Sequence, residues 1–186
     1  MVPENDLKFY DVVEMDIPTN YINITRNAFD IPHFTSVHGW QTVELVDFGY
    51  EGGHENYPHC AYIELYLGDN RNDKDGDVNT LPPGKKSLIK TRNFDPFNNR
   101  IDVSVDDVHL VTAFNKLTEV DEHQTTLSSE FWVPEGLPLS IGKLYAEDAV
   151  KQTAQDIPIW KTIDYKQFTP VSEVEEFYAE WIGRFE

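Results

Sequence analysis

Two histidines, His33 and His38, stand five residues apart, and Asn27 and Asp30 precede the first at intervals of three. Each residue of a helix turns the chain by about 100 degrees, so Asn27, Asp30 and His33 share one sector of a helix predicted over 25–34. So short a helix spares a polar face only for groups that serve something. His38 lies about 140 degrees from His33 on an ideal helix, so both imidazoles reach one ion only if the helix ends between them. Thr35, Ser36, the β-branched Val37 and Gly39 predict that break. Two imidazoles and one carboxylate on one side, with positions left open opposite, form the donor set of a divalent iron that activates oxygen.

The chain has 33 acidic residues, so abundance does not choose the carboxylate. Periodicity does. On a long helix predicted over 140–157, Ala149, Thr153, Ile157 and Trp160 mark the inward stripe, while Glu147 and Lys151 point away. Asp156 falls inside the stripe, where a carboxylate is costly unless it is paired or bound to metal. Pro158 lacks an N–H and predicts a distortion near Ala154. Each residue also has a plainer reading. His33 and His38 suit a helix-end and a core histidine, Asp30 an ordinary helix-face charge, and Asn27 a side chain bonding its own helix start.

Other clusters carry less. His54, His59 and Cys60 offer three zinc donors with no fourth nearby, and read better as a loop entering a strand. The Asp- and Asn-rich stretch 68–86 lacks the spacing and the terminal Glu of a calcium loop, so it reads as a solvated loop. His109 and His123 carry no signal. Phe94, Phe97, Phe114, Phe131 and Trp132 read mostly as core, with one or two lining a cavity.

The elements that must position the donors follow from the apolar pattern. Ala61, Ile63, Leu65 and Leu67 alternate on one strand face, and Ile101, Val103 and Val105 on another. The second of these and the runs 108–117 and 125–133, separated by short turns carrying Asp106-Asp107 and Asp121-Glu122, predict an antiparallel meander. A last helix over 171–185 opens with Ser172 and Glu175 at capping-box spacing and presents Val171, Val174, Tyr178, Trp181, Ile182 and Phe185 on one face. The predicted order is short helix, strands, long helix, final helix: an α+β domain with helices on one face of an antiparallel sheet.

Length and composition fit one domain over 1–186. The formal net charge of −18 argues against nucleic-acid and anionic-membrane partners. A lone cysteine forbids an intrachain disulfide, cannot complete a cluster held by two cysteines and two histidines, and suits a reducing, cytoplasmic setting. No signal-peptide pattern and no membrane-length apolar run is present.

The spacing N-x-x-D-x-x-H-x-x-x-x-H at Asn27, Asp30, His33 and His38 resembles the iron signature of Rieske non-heme iron oxygenases. The segment QDIPIW at 155–160 is similar to the third-ligand segment of the steroid- and sterol-acting branch, which includes ketosteroid hydroxylases and Neverland-type desaturases. The segment 176–185 resembles that branch's closing helix. The resemblance implies a helix-grip fold, Bet v 1-like and START-like, with mononuclear Fe(II) on His33, His38 and Asp156 beside a buried apolar cavity. It implies that Asn27 lies near the iron and that Asp30 links His33 to a Rieske cluster in the neighbouring subunit of a homotrimer. The family's N-terminal Rieske domain is not found in this sequence, which fits a catalytic domain paired with a separate Rieske chain, a truncated sequence, or a relic that kept the fold and lost turnover. The resemblance implies a Rieske or ferredoxin-type chain as electron donor. The expected activity is oxygen-dependent hydroxylation or desaturation of a bulky apolar molecule, aromatic or steroid-like. The alternative is a helix-grip lipid- or sterol-binding module, or a regulatory subunit of an oxygenase, without turnover.

Overall fold

Alternation with period two dominates the sequence, and it yields one antiparallel sheet. The computed structural model describes residues 6–52, 59–68 and 84–185. The strands are β1 (Leu7–Ile17), β2 (Thr42–Tyr50), β3 (Ala61–Gly68), β4 (Lys86–Asp95), β5 (Asn98–Val105), β6 (Val108–Asp121) and β7 (Gln124–Pro134). The helices are α1 (Tyr21–Asn27), α2 (Ile31–Ser36), α3 (Leu139–Trp160) and α4 (Glu173–Ile182). The sheet runs β1-β7-β6-β5-β4-β3-β2, so strands two to seven form a meander and β1 closes onto its end beside β7.

The hairpin turns carry their own chemistry. Asp106 and Asp107 both take positive φ, 50° and 63°, the conformation a two-residue turn needs to match strand twist. Asp tolerates that region better than most residues do. At the next turn the Asp121 carboxylate accepts from the His123 N–H at 2.7 Å.

The helices cover one face in two places. Helix α3 packs on β1, β7 and β6. Gly142 lets it approach closely: a Cβ there would lie 2.7 Å from Val133 Cγ2 and 2.9 Å from Tyr10 Cγ. Helix α4 buries Val174, Tyr178, Trp181 and Ile182 against Phe29, Trp40 and the inward residues of β3. It also braces α1. The Tyr178 hydroxyl meets Thr25 Oγ1 at 2.8 Å and donates to the Ile22 carbonyl at 3.0 Å, and Arg26 pairs with the buried Glu175 at 3.1 Å. Thus α1 and α2 are wedged between the sheet, α3 and α4.

Several expectations need correction. The chain's first element is a strand: β1 carries Asp11, Glu14 and Asp16 on an edge, which masks its alternation. The helix predicted over 25–34 is two helices. Pro32 has no N–H to donate to a preceding turn, which suits the first turn of a helix and not its interior, so α1 ends at Asn27 and α2 starts at Ile31 with Asp30 as N-cap. Helix α3 does not stop near Ile157 but runs through Pro158 to Trp160; a missing N–H in the last turn removes one bond and leaves the helix otherwise intact. Helix α4 is shorter than 171–185. Ser172 caps it by accepting from the Glu175 N–H at 3.2 Å, which leaves Val171 outside it and 86% exposed. Of the five aromatics read mainly as core, only Phe131 is buried; Trp132 makes edge-to-face contacts with Phe9 and with Phe114 on the outer side of the sheet. The stretch 69–83 and His54 lie outside the described residues.

Candidate metal centre

His33 sits on α2, His38 just beyond its end, and Asp156 on the last turns of α3. All three are buried, at 6%, 5% and 4% exposure. One donor atom from each lies within 4.8 Å of the other two, a spacing one small cation spans. The break predicted between the histidines is present: Val37 caps α2 with its N–H on the His33 carbonyl, and Gly39 takes φ 69°.

The hydrogen bonds fix which ring nitrogens are presented. His33 Nδ1 bonds the backbone carbonyl of Asp30, so its N–H is spent there and Nε2 carries the lone pair. That Nε2 meets Asn27 Nδ2 at 3.1 Å, and the same amide donates to Asp156 Oδ2 at 2.8 Å. His38 Nδ1 meets Gln155 Oε1 at 3.0 Å, which turns its Nε2 toward Asp156 Oδ1 at 3.3 Å. Each imidazole is therefore oriented by an acceptor on its outer nitrogen and offers Nε2 inward, the arrangement that prepares a histidine for a metal. Burial holds the His33 pKa below the ordinary 6.5, more than the Asp30 carbonyl raises it, so the ring stays neutral and able to ligate.

Two hollows meet at this point. An inner cavity of about 240 Å³ opens between α3 and the sheet, with walls that include Ile101, Val111, Phe131 and Ala149. An outer cleft of about 250 Å³ is bordered by Arg26, Asp30, Pro32 and Ser36. Asn27, His33 and Asp156 line both, so they form the partition between an apolar interior and a polar exterior.

Asp30 is half-buried at the outer cleft. Its carboxylate does not take the His33 N–H as the shared helix face implied; its main-chain oxygen does, because Asp30 is an N-cap and not a mid-helix residue. Asn27 touches both His33 and Asp156 despite the broken helix. Sequence reasoning assigned no role to Gln155, although its place beside an inward carboxylate on α3 is visible in the sequence. Cys60 is buried, and burial pushes its thiol up to about 11, so it is not poised as a zinc thiolate.

No family model matches the chain, and no curated protein does. Solved structures share its fold. A quaternary ammonium Rieske monooxygenase of carnitine oxidation by gut microbiota aligns at TM-score 0.61 and 12% identity, covering 96% of this chain and 50% of that one. Dicamba monooxygenase bound to 3,6-dichlorosalicylic acid aligns at 0.66 and 12%, covering 95% and 58%. Ara h 8.0201 aligns at 0.55 and 13%, covering 84% of this chain and 99% of that one. The chain has a helix-grip fold, shared by Rieske oxygenase catalytic domains and by Bet v 1-type proteins. It spans about half the length of the two oxygenases.

Proposed function

We propose that the chain is the catalytic part of a non-heme iron oxygenase. His33, His38 and Asp156 would hold one Fe(II), and a bulky apolar molecule, aromatic or steroid-like, would occupy the inner cavity. The observation that carries this reading is the buried set of two Nε2 atoms and one carboxylate at the wall of an apolar cavity. The donors fit: both imidazoles have their outer nitrogens already engaged and present Nε2 inward, and Asp156 would supply the one carboxylate that such an iron takes. Iron supplies the oxygen-activating chemistry when bound.

The protein's own groups do the rest. The apolar cavity walls bind the substrate's hydrocarbon and exclude water. Gln155 and the Asp30 carbonyl hold the two rings in orientation. Asn27 bridges His33 Nε2 and Asp156 Oδ2, and gives up the His33 contact when that lone pair is used by an ion. The outer cleft, with the Asp30 carboxylate at its edge, is where a separate Rieske or ferredoxin-type donor would dock, within a trimer or as an added chain.

Anaerobic loading tests the reading. One iron per chain is expected, lost in His33→Ala, His38→Ala and Asp156→Ala, with no turnover on oxygen and a nicotinamide cofactor alone. Full iron occupancy in Asp156→Ala would remove the carboxylate assignment. The whole-chain likeness to Ara h 8.0201 favours a second reading, a binding module with a cavity and no turnover. Failure of the wild-type chain to take iron would decide for it.

A further inference from the structure

One stripe of the cavity wall does not match the rest. Asn93, Asn99, Asn115 and Ser129 lie side by side on β4, β5, β6 and β7, each in register with the next. All four line the inner cavity. The next row towards the interior is Thr91, Ile101, Ala113 and Phe131, and on the other side lie Leu117, Leu127 and Met15. A polar row across an otherwise largely apolar face has no folding rationale, since an amide facing a cavity contributes less than an aliphatic residue unless its bonds are made.

At Asn93 those bonds are not made. Asn93 is 1% exposed, and neither its carbonyl oxygen nor its amide nitrogen has a hydrogen-bond partner. Asn115 donates to Asn99 Oδ1 at 2.9 Å, which leaves Asn99 Nδ2 and Asn115 Oδ1 for something else. The row thus holds donors and acceptors together, all uncharged. Among the described residues no Lys or Arg lines the cavity to receive an anion.

The row also has a position relative to the proposed metal. Leu117, Leu127 and Met15, one row away, pack against Ile157 and Trp160. These two follow Asp156 on α3. The amides therefore belong to the metal end of the cavity, while Val103, Val111, Tyr145 and Ala149 line its hydrocarbon end.

We infer that the Asn93–Asn99–Asn115 row is the recognition site for a neutral polar group of the ligand, one with a donor and an acceptor side by side, such as a lactam, carried on an apolar body that fills the rest of the cavity. Describing that ligand as a substrate, oxidised near its polar group, rests on the oxygenase reading; the recognition itself does not.

Titration calorimetry on the full chain, with and without anaerobically loaded iron, tests this with three bicyclic probes of similar size. These are 2-quinolinone (a neutral lactam), naphthalene (no polar atoms) and 2-naphthoate (an anion). The wild-type chain is expected to bind 2-quinolinone about tenfold or more tightly than naphthalene, as one or two well-made hydrogen bonds supply, and 2-naphthoate weakest. Asn93→Leu should lose the lactam preference, keep naphthalene binding and melt higher than wild type, because an unsatisfied amide has been replaced by a hydrocarbon of similar size. Asn115→Leu provides the same reading if Asn93→Leu does not fold. Equal affinities for lactam and naphthalene, no binding of either, or a lactam preference that survives both substitutions would overturn the inference. Iron stoichiometry, measured on the same samples, separates the two claims. Lactam preference without iron sinks the oxygenase reading alone, and iron without lactam preference sinks this one alone.

Discussion

At the scale of single residues, the site depends on which atom of each residue is used. The spacing of His33 and His38 makes the convergence of the two imidazoles legible in the sequence, and the inward stripe of α3 selects Asp156 as the carboxylate that meets them. The role of Asp30 is not legible in the same way. Helical spacing suggests that its carboxylate orients His33, whereas the N-cap geometry hands that task to its carbonyl and frees the carboxylate for the outer cleft. Asp30→Asn therefore leaves the His33 orientation untouched. It is expected to keep full iron loading and to lose turnover coupled to a Rieske-type donor, measured as product formed per electron supplied. Iron loss in Asp30→Asn would show that the carboxylate supports the ligand set after all. The asparagine row was also hidden. Asn93, Asn99 and Asn115 become neighbours only through the registers of two hairpins, and no periodicity within one strand shows that.

Elements set the limits of the site. Helix α3 must lie close enough to the sheet for Asp156 to face His38, and Gly142 permits that approach in the first turn of the helix. Gly142→Ala gains helix propensity, about 1 kcal/mol, but drives a methyl into Val133 and Tyr10, and overpacking of this kind costs about 1–3 kcal/mol. A net loss of stability is expected, read as a lower denaturant midpoint with an unchanged slope. The meander, the long helix and the capped final helix were legible because each rests on local rules: alternation, an amphipathic stripe, a capping box. Strand β1 was not. Its acidic residues read as a surface segment, and its partner β7 comes last among the strands, so only tertiary pairing makes it a strand.

At the scale of the molecule, burial of neutral imidazoles links stability to pH. His33 and His109 both have pKa values lowered below 6.5, chiefly by burial. In the unfolded chain each titrates at its ordinary value. As pH falls below 6.5 the unfolded state therefore binds more protons than the folded one, and stability drops until the folded values are passed. Melting of the metal-free chain is expected to fall on acidification from neutral pH through this window. Replacing His109 with Gln should flatten part of the decline, and an unchanged slope in that variant would remove His109 from the account. Among the described residues no helix is long and apolar enough to cross a membrane.

The separation of the donors along the chain sets when the site can exist. His33 and His38 precede six of the seven strands, and Asp156 follows all of them. An unfolded chain offers the histidine pair without its carboxylate, and the full set forms only after the meander has closed and α3 has docked across it. An ion bound by all three residues would thus favour the completed fold over every partly folded state, because only the completed fold has three donors. It would act as a latch on the last step of assembly and slow unfolding, with little effect on the early steps of folding.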